Sequence, residues 1–225
     1  MILSQIPIQL NKSQIAKELH LDHFPHSKQS IIEQYLLQGL SFIEAKGIIE
    51  RMPANKLDFD ALGLMESVKE MNEVVTANLL LATIGNQLEK ELEKEIQNGN
   101  ILKSMVFHAL GVWAVHQAMD YLQQLIKKGA QQQGYQYSKR NAPGYNRWQL
   151  EKQSELLSLL AGERVEVSIT SDFILTPIYT LTGIVFKYKE DDLGLFKNRI
   201  NNSCLTCNLA QDKKECDYKI YCQKA

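Results

Sequence analysis

The chain has 225 residues, of which 25 are lysine or arginine and 26 aspartate or glutamate, leaving a formal net charge of -1. So balanced a chain has no electrostatic reason to seek nucleic acid or an anionic membrane surface, and its 44% apolar content is that of a globular protein with one sizeable core. The most apolar stretch, 105–115, is interrupted by His108 and falls far short of the roughly 20 residues a spanning helix needs. Residues 1–10 lack the basic start and long apolar run of a secretory signal, so a cytoplasmic location is expected.

In chain order, residues 2–10 predict a short strand, and Asn11 is placed to cap a helix, with Gln14 completing a capping box and Ile15 and Leu19 facing inward. His20, His23 and His26 have a ligand-like spacing, but Pro25 breaks any helix that would align them, which favours a solvated loop over a metal site. Residues 30–49 mix helical and extended signals, with Gly39 and Gly47 as punctuation, and no element is assigned there. A helix is expected over 60–72 and a core strand over 74–84, ended by Gly85.

Residues 87–97 are amphipathic and densely charged. Their interleaved lysines and glutamates describe a solvated helix face rather than paired catalytic carboxylates. Asn100 stands where it would cap a long helix running through Phe107, Leu110, Trp113, Met119 and Leu122, and Lys127, Lys128 and Gly129 supply the cations and the glycine that end one. His108 and His116 on this helix read as core or boundary histidines rather than metal ligands. Polar residues 131–137 follow. After them come a helix over 149–160, with Leu150, Leu156, Leu157 and Leu160 on its apolar face, and strands over 164–170 and 179–188. This order predicts an α+β domain over 1–200, a twisted, mainly antiparallel sheet with helices packed against it, followed by a cysteine-rich tail over 201–225.

The residues with the most chemistry are 140–145, Arg-Asn-Ala-Pro-Gly-Tyr. Arg140 offers a planar fork of donors suited to a carboxylate, Pro143 fixes its own backbone angle, and Gly144 admits a ligand close to the main chain. Tyr145 adds an aromatic face and a hydroxyl. Such a loop suits a small molecule with a carboxylate at one end and a flat ring at the other. The same residues also suit a plain turn, with Tyr145 and Trp148 packed on the core.

Arg140-x-x-x-Gly144-Tyr145 before a helix, then Val165-Glu-Val-Ser-Ile-Thr-Ser-Asp-Phe-Ile-Leu-Thr-Pro177 and Leu181-Thr-Gly183-Ile-Val, resembles the activation domain of cobalamin-dependent methionine synthase. Ile6-Pro7-Ile8 and Ala82-Thr83-Ile84-Gly85 extend the resemblance upstream. It implies that domain's α+β fold and an S-adenosylmethionine site, with Arg140 taking the methionine carboxylate and the backbone of Asn141, Ala142, Gly144 and Tyr145 holding the adenine side. The family's ligand-contacting acidic residue near the domain start has no assigned counterpart here, and its late aromatic pair is missing from 191–199. Standalone relatives that end in cysteines are the closer likeness. The chain carries no cobalamin signature of the Asp-x-His-x-x-Gly type, no glycine-rich phosphate loop before a helix and no zincin motif, so a corrinoid would arrive on a partner methyltransferase protein.

All four cysteines lie in the last 22 residues, as Cys204-x2-Cys207-x8-Cys216-x5-Cys222. Four thiolates this close can surround one metal centre, whereas in a reducing cytosol two disulfides are the less favoured arrangement. Zinc would make a structural clip; an iron-sulfur cluster would make a centre able to pass an electron. The x5 spacing departs from the paired spacings of zinc ribbons, and the resemblance implies chemistry that needs an electron, which favours the cluster over zinc. The expected function is therefore a reactivation factor for a corrinoid methyltransferase, served by an electron donor protein. An S-adenosylmethionine enzyme acting on a non-corrinoid substrate and a non-enzymatic metal-binding adaptor are the alternatives.

Overall fold

The computed structural model describes residues 1–8, 25–64, 74–128, 135–145 and 148–189. In chain order its elements are β1 (Ile2–Leu3), α1 (His26–Leu40), β2 (Lys46–Pro53), β3 (Val74–Thr83), α2 (Gln87–Gln97), α3 (Ile101–Lys127), β4 (Tyr135–Tyr137), α4 (Gln153–Leu160), β5 (Ser168–Ile169), β6 (Leu175–Thr176) and β7 (Thr180–Lys189). Five strands form one sheet in the order β1-β2-β3-β7-β4, with every neighbouring pair antiparallel. The short β5 and β6 pair only with each other. This is the α+β architecture the sequence predicts.

β3 is buried without a break from Ala77 to its end, because both faces of the sheet are covered. Leu80, Ala82, Ile49 and Val185 face one way, into a core completed by Ile32 and Leu36 of α1, Leu88 and Leu92 of α2 and the buried side of α3. Ile48, Leu79, Leu81, Ile184 and Phe186 face the other way, against Trp148 and against Leu156, Leu157 and Leu160 of α4. Register explains the split: Leu79 lies opposite Ile184 and Asn78 opposite Val185, so adjacent pairs alternate between the two layers. Gly39 sets how closely α1 approaches α3, and Gly111 how closely α3 approaches the residue before β7. A Cβ at Gly39 would lie 2.6 Å from Leu110, and one at Gly111 would lie 2.5 Å from the Tyr179 ring.

The corner between α2 and α3 is fixed by polar contacts. Glu95, 7% exposed in its side chain, accepts from Lys103 Nζ at 2.7 Å and from Asn100 Nδ2 at 2.5 Å. Lys103 also sits 5.6 Å from the Tyr35 ring centroid and 5.3 Å from that of Phe107. The hydrogen bond from Lys103, then that from Asn100, holds the Glu95 carboxyl below its ordinary range. A depressed folded pKa gives stability that is present above the unfolded value, about 4.3, and is lost as pH falls through the folded value. Urea midpoints of the wild type should therefore drop more steeply on acidification below about pH 4 than those of Glu95→Gln. Parallel curves would remove Glu95 as the source.

Several local expectations need correction. The strand expected over 2–10 is confined to Ile2–Leu3, and Ser4 to Ile8 continue outside any strand. Residues 60–63 form turns rather than the start of a helix: Ala61 N donates to Asp58 Oδ1 at 2.9 Å and Leu64 N to Phe59 O at 2.7 Å, an aspartate-nucleated local structure that competes with helix. Asn100 occupies the position before α3 but its side chain makes no capping bond; its Nδ2 donates to Glu95. The helix expected from 149 begins as a 3-10 turn, Leu150–Lys152, which leaves Leu150 42% exposed. Of the strand over 164–170 only Ser168–Ile169 is extended, because Gly162–Val165 is a 3-10 turn and Glu166 has a left-handed backbone, φ 61°. Residues 30–49 resolve into most of α1 and the start of β2, and Pro25 stands immediately before α1, where the helix begins. Asn11, Gln14, Ile15, Leu19, His20 and His23, the His26 side chain and residues 65–72 of the expected helix lie outside the described residues.

Candidate binding site

The Arg140 loop continues from β4 along the edge of β7 that faces away from β3. Ser138 N donates to Phe186 O, and Phe186 N donates to the Ser138 hydroxyl, both at 2.9 Å, so a side chain takes over the ladder where β4 ends. The ladder then resumes at Asn141, whose N–H donates to Ile184 O at 2.9 Å and whose carbonyl accepts Ile184 N at 2.8 Å. The loop takes three residue steps where β7 takes two. One residue is extra, as in a bulge, and Arg140 is turned out of the ladder.

Gly183 lets Arg140 lie down. A Cβ there would be 2.7 Å from Arg140 Cγ, 2.9 Å from its Cδ and 2.8 Å from Asn141 O. The half-buried arginine stem occupies that space, and Nη1 donates to Thr182 O at 2.8 Å. The cation is therefore mounted on the strand, with further interactions of its own.

Beyond Arg140 the chain closes on itself. Ala142 N donates to Asn141 Oδ1 at 3.2 Å, Tyr145 N to Ala142 O at 3.1 Å, Trp148 N to Tyr145 O at 2.8 Å and Gly144 N to Trp148 O at 2.8 Å. Gly144 has φ 85°, a left-handed angle at which glycine avoids the strain of a side chain. Buried Trp148 donates Nε1 to Leu62 O at 2.6 Å and ties the loop to the 58–64 turn. Of the five residues singled out in sequence, Ala142 is buried and Tyr145, 48% exposed, presents its ring to solvent. The loop thus combines a fixed cation, an open aromatic face and a rigid backbone, and can hold an anionic group at one end and a planar one at the other.

Thr182 and Gly183, and Gln153 from α4, belong to this site and were not assigned a part in it from sequence. Glycine in the middle of a strand was the available signal, since it marks a close backbone approach. Elsewhere, exposed His108 meets the Tyr179 hydroxyl at 3.1 Å. Burial, and then the Glu89 charge, push the Tyr179 phenol well above its usual range, so it stays neutral and serves packing. Among the described residues no three His, Cys, Asp or Glu side chains gather as metal ligands, and no helix is long and apolar enough to cross a membrane. Cys204, Cys207, Cys216 and Cys222 lie outside the described residues.

No protein-family model matches the chain, and no curated protein does. A solved structure matches it: the crystal structure of the MetH reactivation domain bound to AdoHcy, with 12% identity and a TM-score of 0.55, over 82% of this chain and 71% of that one. At that identity the likeness is one of fold, the antiparallel sheet with its helices.

Proposed function

We propose that this protein binds S-adenosylmethionine on the Arg140 loop and serves in the cytoplasm as a reactivation factor for a corrinoid methyltransferase carried by a partner protein. The observation that carries the proposal is the mounting of Arg140 on β7, one turn of loop away from the open Tyr145 ring, in a fold shared with a domain that has been crystallised with AdoHcy. Arg140 would take the amino-acid carboxylate. The backbone of Asn141, Ala142 and Gly144, with Tyr145, would hold the adenosine end. The partner's corrinoid is the substrate: one electron reduces its inactive cobalt, and the sulfonium methyl group then passes to the reduced metal, leaving S-adenosylhomocysteine. What this chain contributes is position, aiming a methyl group at a metal held by another protein. The four cysteines Cys204, Cys207, Cys216 and Cys222 would hold an iron-sulfur cluster that takes the electron from a donor protein; zinc is the alternative occupant.

Calorimetric titration of anaerobically purified protein with S-adenosylmethionine and S-adenosylhomocysteine tests the site, with iron, sulfide and zinc assayed on the same sample. Arg140→Lys should bind about tenfold more weakly, because lysine keeps the charge and loses the fork, with little change in melting temperature. No binding by the wild type would reject the reading, and zinc without iron would make the tail a structural clip.

A further inference from the structure

Both ends of the binding loop are attached to one residue of β7. At the amino end Arg140 Nη1 donates to the Thr182 carbonyl at 2.8 Å, and at the carboxyl end Gln153 Nε2 donates to the Thr182 hydroxyl at 2.7 Å. Gln153 is the first residue of α4 and is 5% exposed; Thr182 is 3% exposed. The Thr182 side chain shares its face of the sheet with Leu81, Ile184 and Phe186, and α4 places Leu156, Leu157 and Leu160 against the same layer. A glutamine amide and a threonine hydroxyl are thus buried together in an apolar interface.

Stability alone does not account for that pair. Replacing both members of a buried hydrogen bond by apolar groups of similar shape is close to neutral, and leucine, methionine or valine would pack in this layer. What the polar pair adds is direction. It fixes the start of α4 relative to Thr182, and so fixes the far end of the segment whose near end Arg140 and Asn141 already hold. Trp148, bonded to Leu62, pins the middle. A loop fixed at both ends and in the middle has little conformational freedom to lose when a ligand settles on it.

We infer that Gln153 and Thr182 are positioning residues for the binding site: their buried hydrogen bond clamps the carboxyl end of the Arg140 loop and preorganises it for ligand. The inference rests on the ligand reading above for its effect on affinity, but not for its effect on the loop, and the two are separable. The double variant Gln153→Met with Thr182→Val keeps shape and removes both polar groups; Thr182→Ser keeps the hydroxyl. In unliganded protein, hydrogen exchange at the amides of Ala142, Gly144, Tyr145 and Trp148 should quicken about tenfold in the double variant while β3 and β7 amides hold their rates. Affinity for S-adenosylhomocysteine should fall about tenfold with a near-wild-type melting temperature, while Thr182→Ser alone should keep both readouts at wild-type values. Unchanged loop exchange in the double variant would overturn the inference whatever the ligand. Quickened exchange in a protein that binds no nucleoside would uphold the clamp and reject the ligand reading. Should the double variant fail to fold, Thr182→Ser and Gln153→Met singly decide it: equal loop exchange in the two overturns the clamp.

Discussion

Gly111→Ala should destabilise the protein by about 2 kcal/mol, although alanine is the better helix former by about 1 kcal/mol. The added methyl would sit 2.5–2.7 Å from three atoms of the Tyr179 ring, inside the distance that real carbons tolerate. The ring is buried and tethered. Its hydroxyl is bonded to His108 at 3.1 Å, its carbonyl accepts Ile84 N at 3.3 Å, and Ile84 is fully buried. Overpacking of this kind costs about 1–3 kcal/mol, and parting Tyr179 from His108 adds about 1 kcal/mol, which together outweigh the helical gain. Urea unfolding would show a lower midpoint with an unchanged slope. Combining Gly111→Ala with Tyr179→Leu should cost less than the sum of the single changes, since removing the ring removes the clash. A Gly111→Ala protein as stable as the wild type would mean that α3 and Tyr179 are less tightly packed than described.

If the Arg140 loop holds S-adenosylmethionine as proposed, Gly183→Ala should reduce that affinity about a hundredfold, more than any change confined to the Arg140 head group. Its Cβ would meet two atoms of the arginine stem and the carbonyl of Asn141. The stem can swing away; the carbonyl cannot move without lengthening its 2.8 Å bond from Ile184 N. One methyl group thus dislodges both the cation and the backbone bridge that sets the loop on its strand. The β3 to β7 pairing runs along the other edge of β7 and should survive, so the variant should remain folded with a modestly lower melting temperature. Calorimetric titration beside a thermal melt separates the two effects. Binding within about twofold of wild type would show that the ligand does not use Arg140 as mounted here.

The long elements were legible in the sequence because length and periodicity agreed. β3, α2, α3 and β7 stand within a residue or two of their expected bounds. α1 and β2 were not, because Ile31-Ile32 and Leu36-Leu37 each put two apolar residues together, a spacing that suits either period. In the structure Ile32, Leu36 and Gly39 form the buried stripe. Of the helix expected over 60–72, residues 60–63 are turns because a local Asp58 bond decides them, and apolar pattern carries no trace of that bond. Arg140, Gly144 and Tyr145 announced themselves as residue types. What could not be read was how they are held: Thr182 and Gly183 are about forty positions away in the chain, and their pairing with the loop is a product of sheet order, which periodicity does not encode.

The strand order also governs how the protein comes to be folded. β3 and β7 are neighbours in the sheet, with Leu79 opposite Ile184, yet more than ninety residues separate them. The hairpin of α2 and α3 can form early from local contacts, but the central ladder must wait for β7 and for closure of that long loop, whose entropy cost slows folding. During synthesis β3 would therefore emerge long before the strand that covers its edge, leaving an apolar strand open to pairing with other chains. Refolding from denaturant should show helical signal well ahead of full Trp148 burial, which depends on layers built from both ends of the chain.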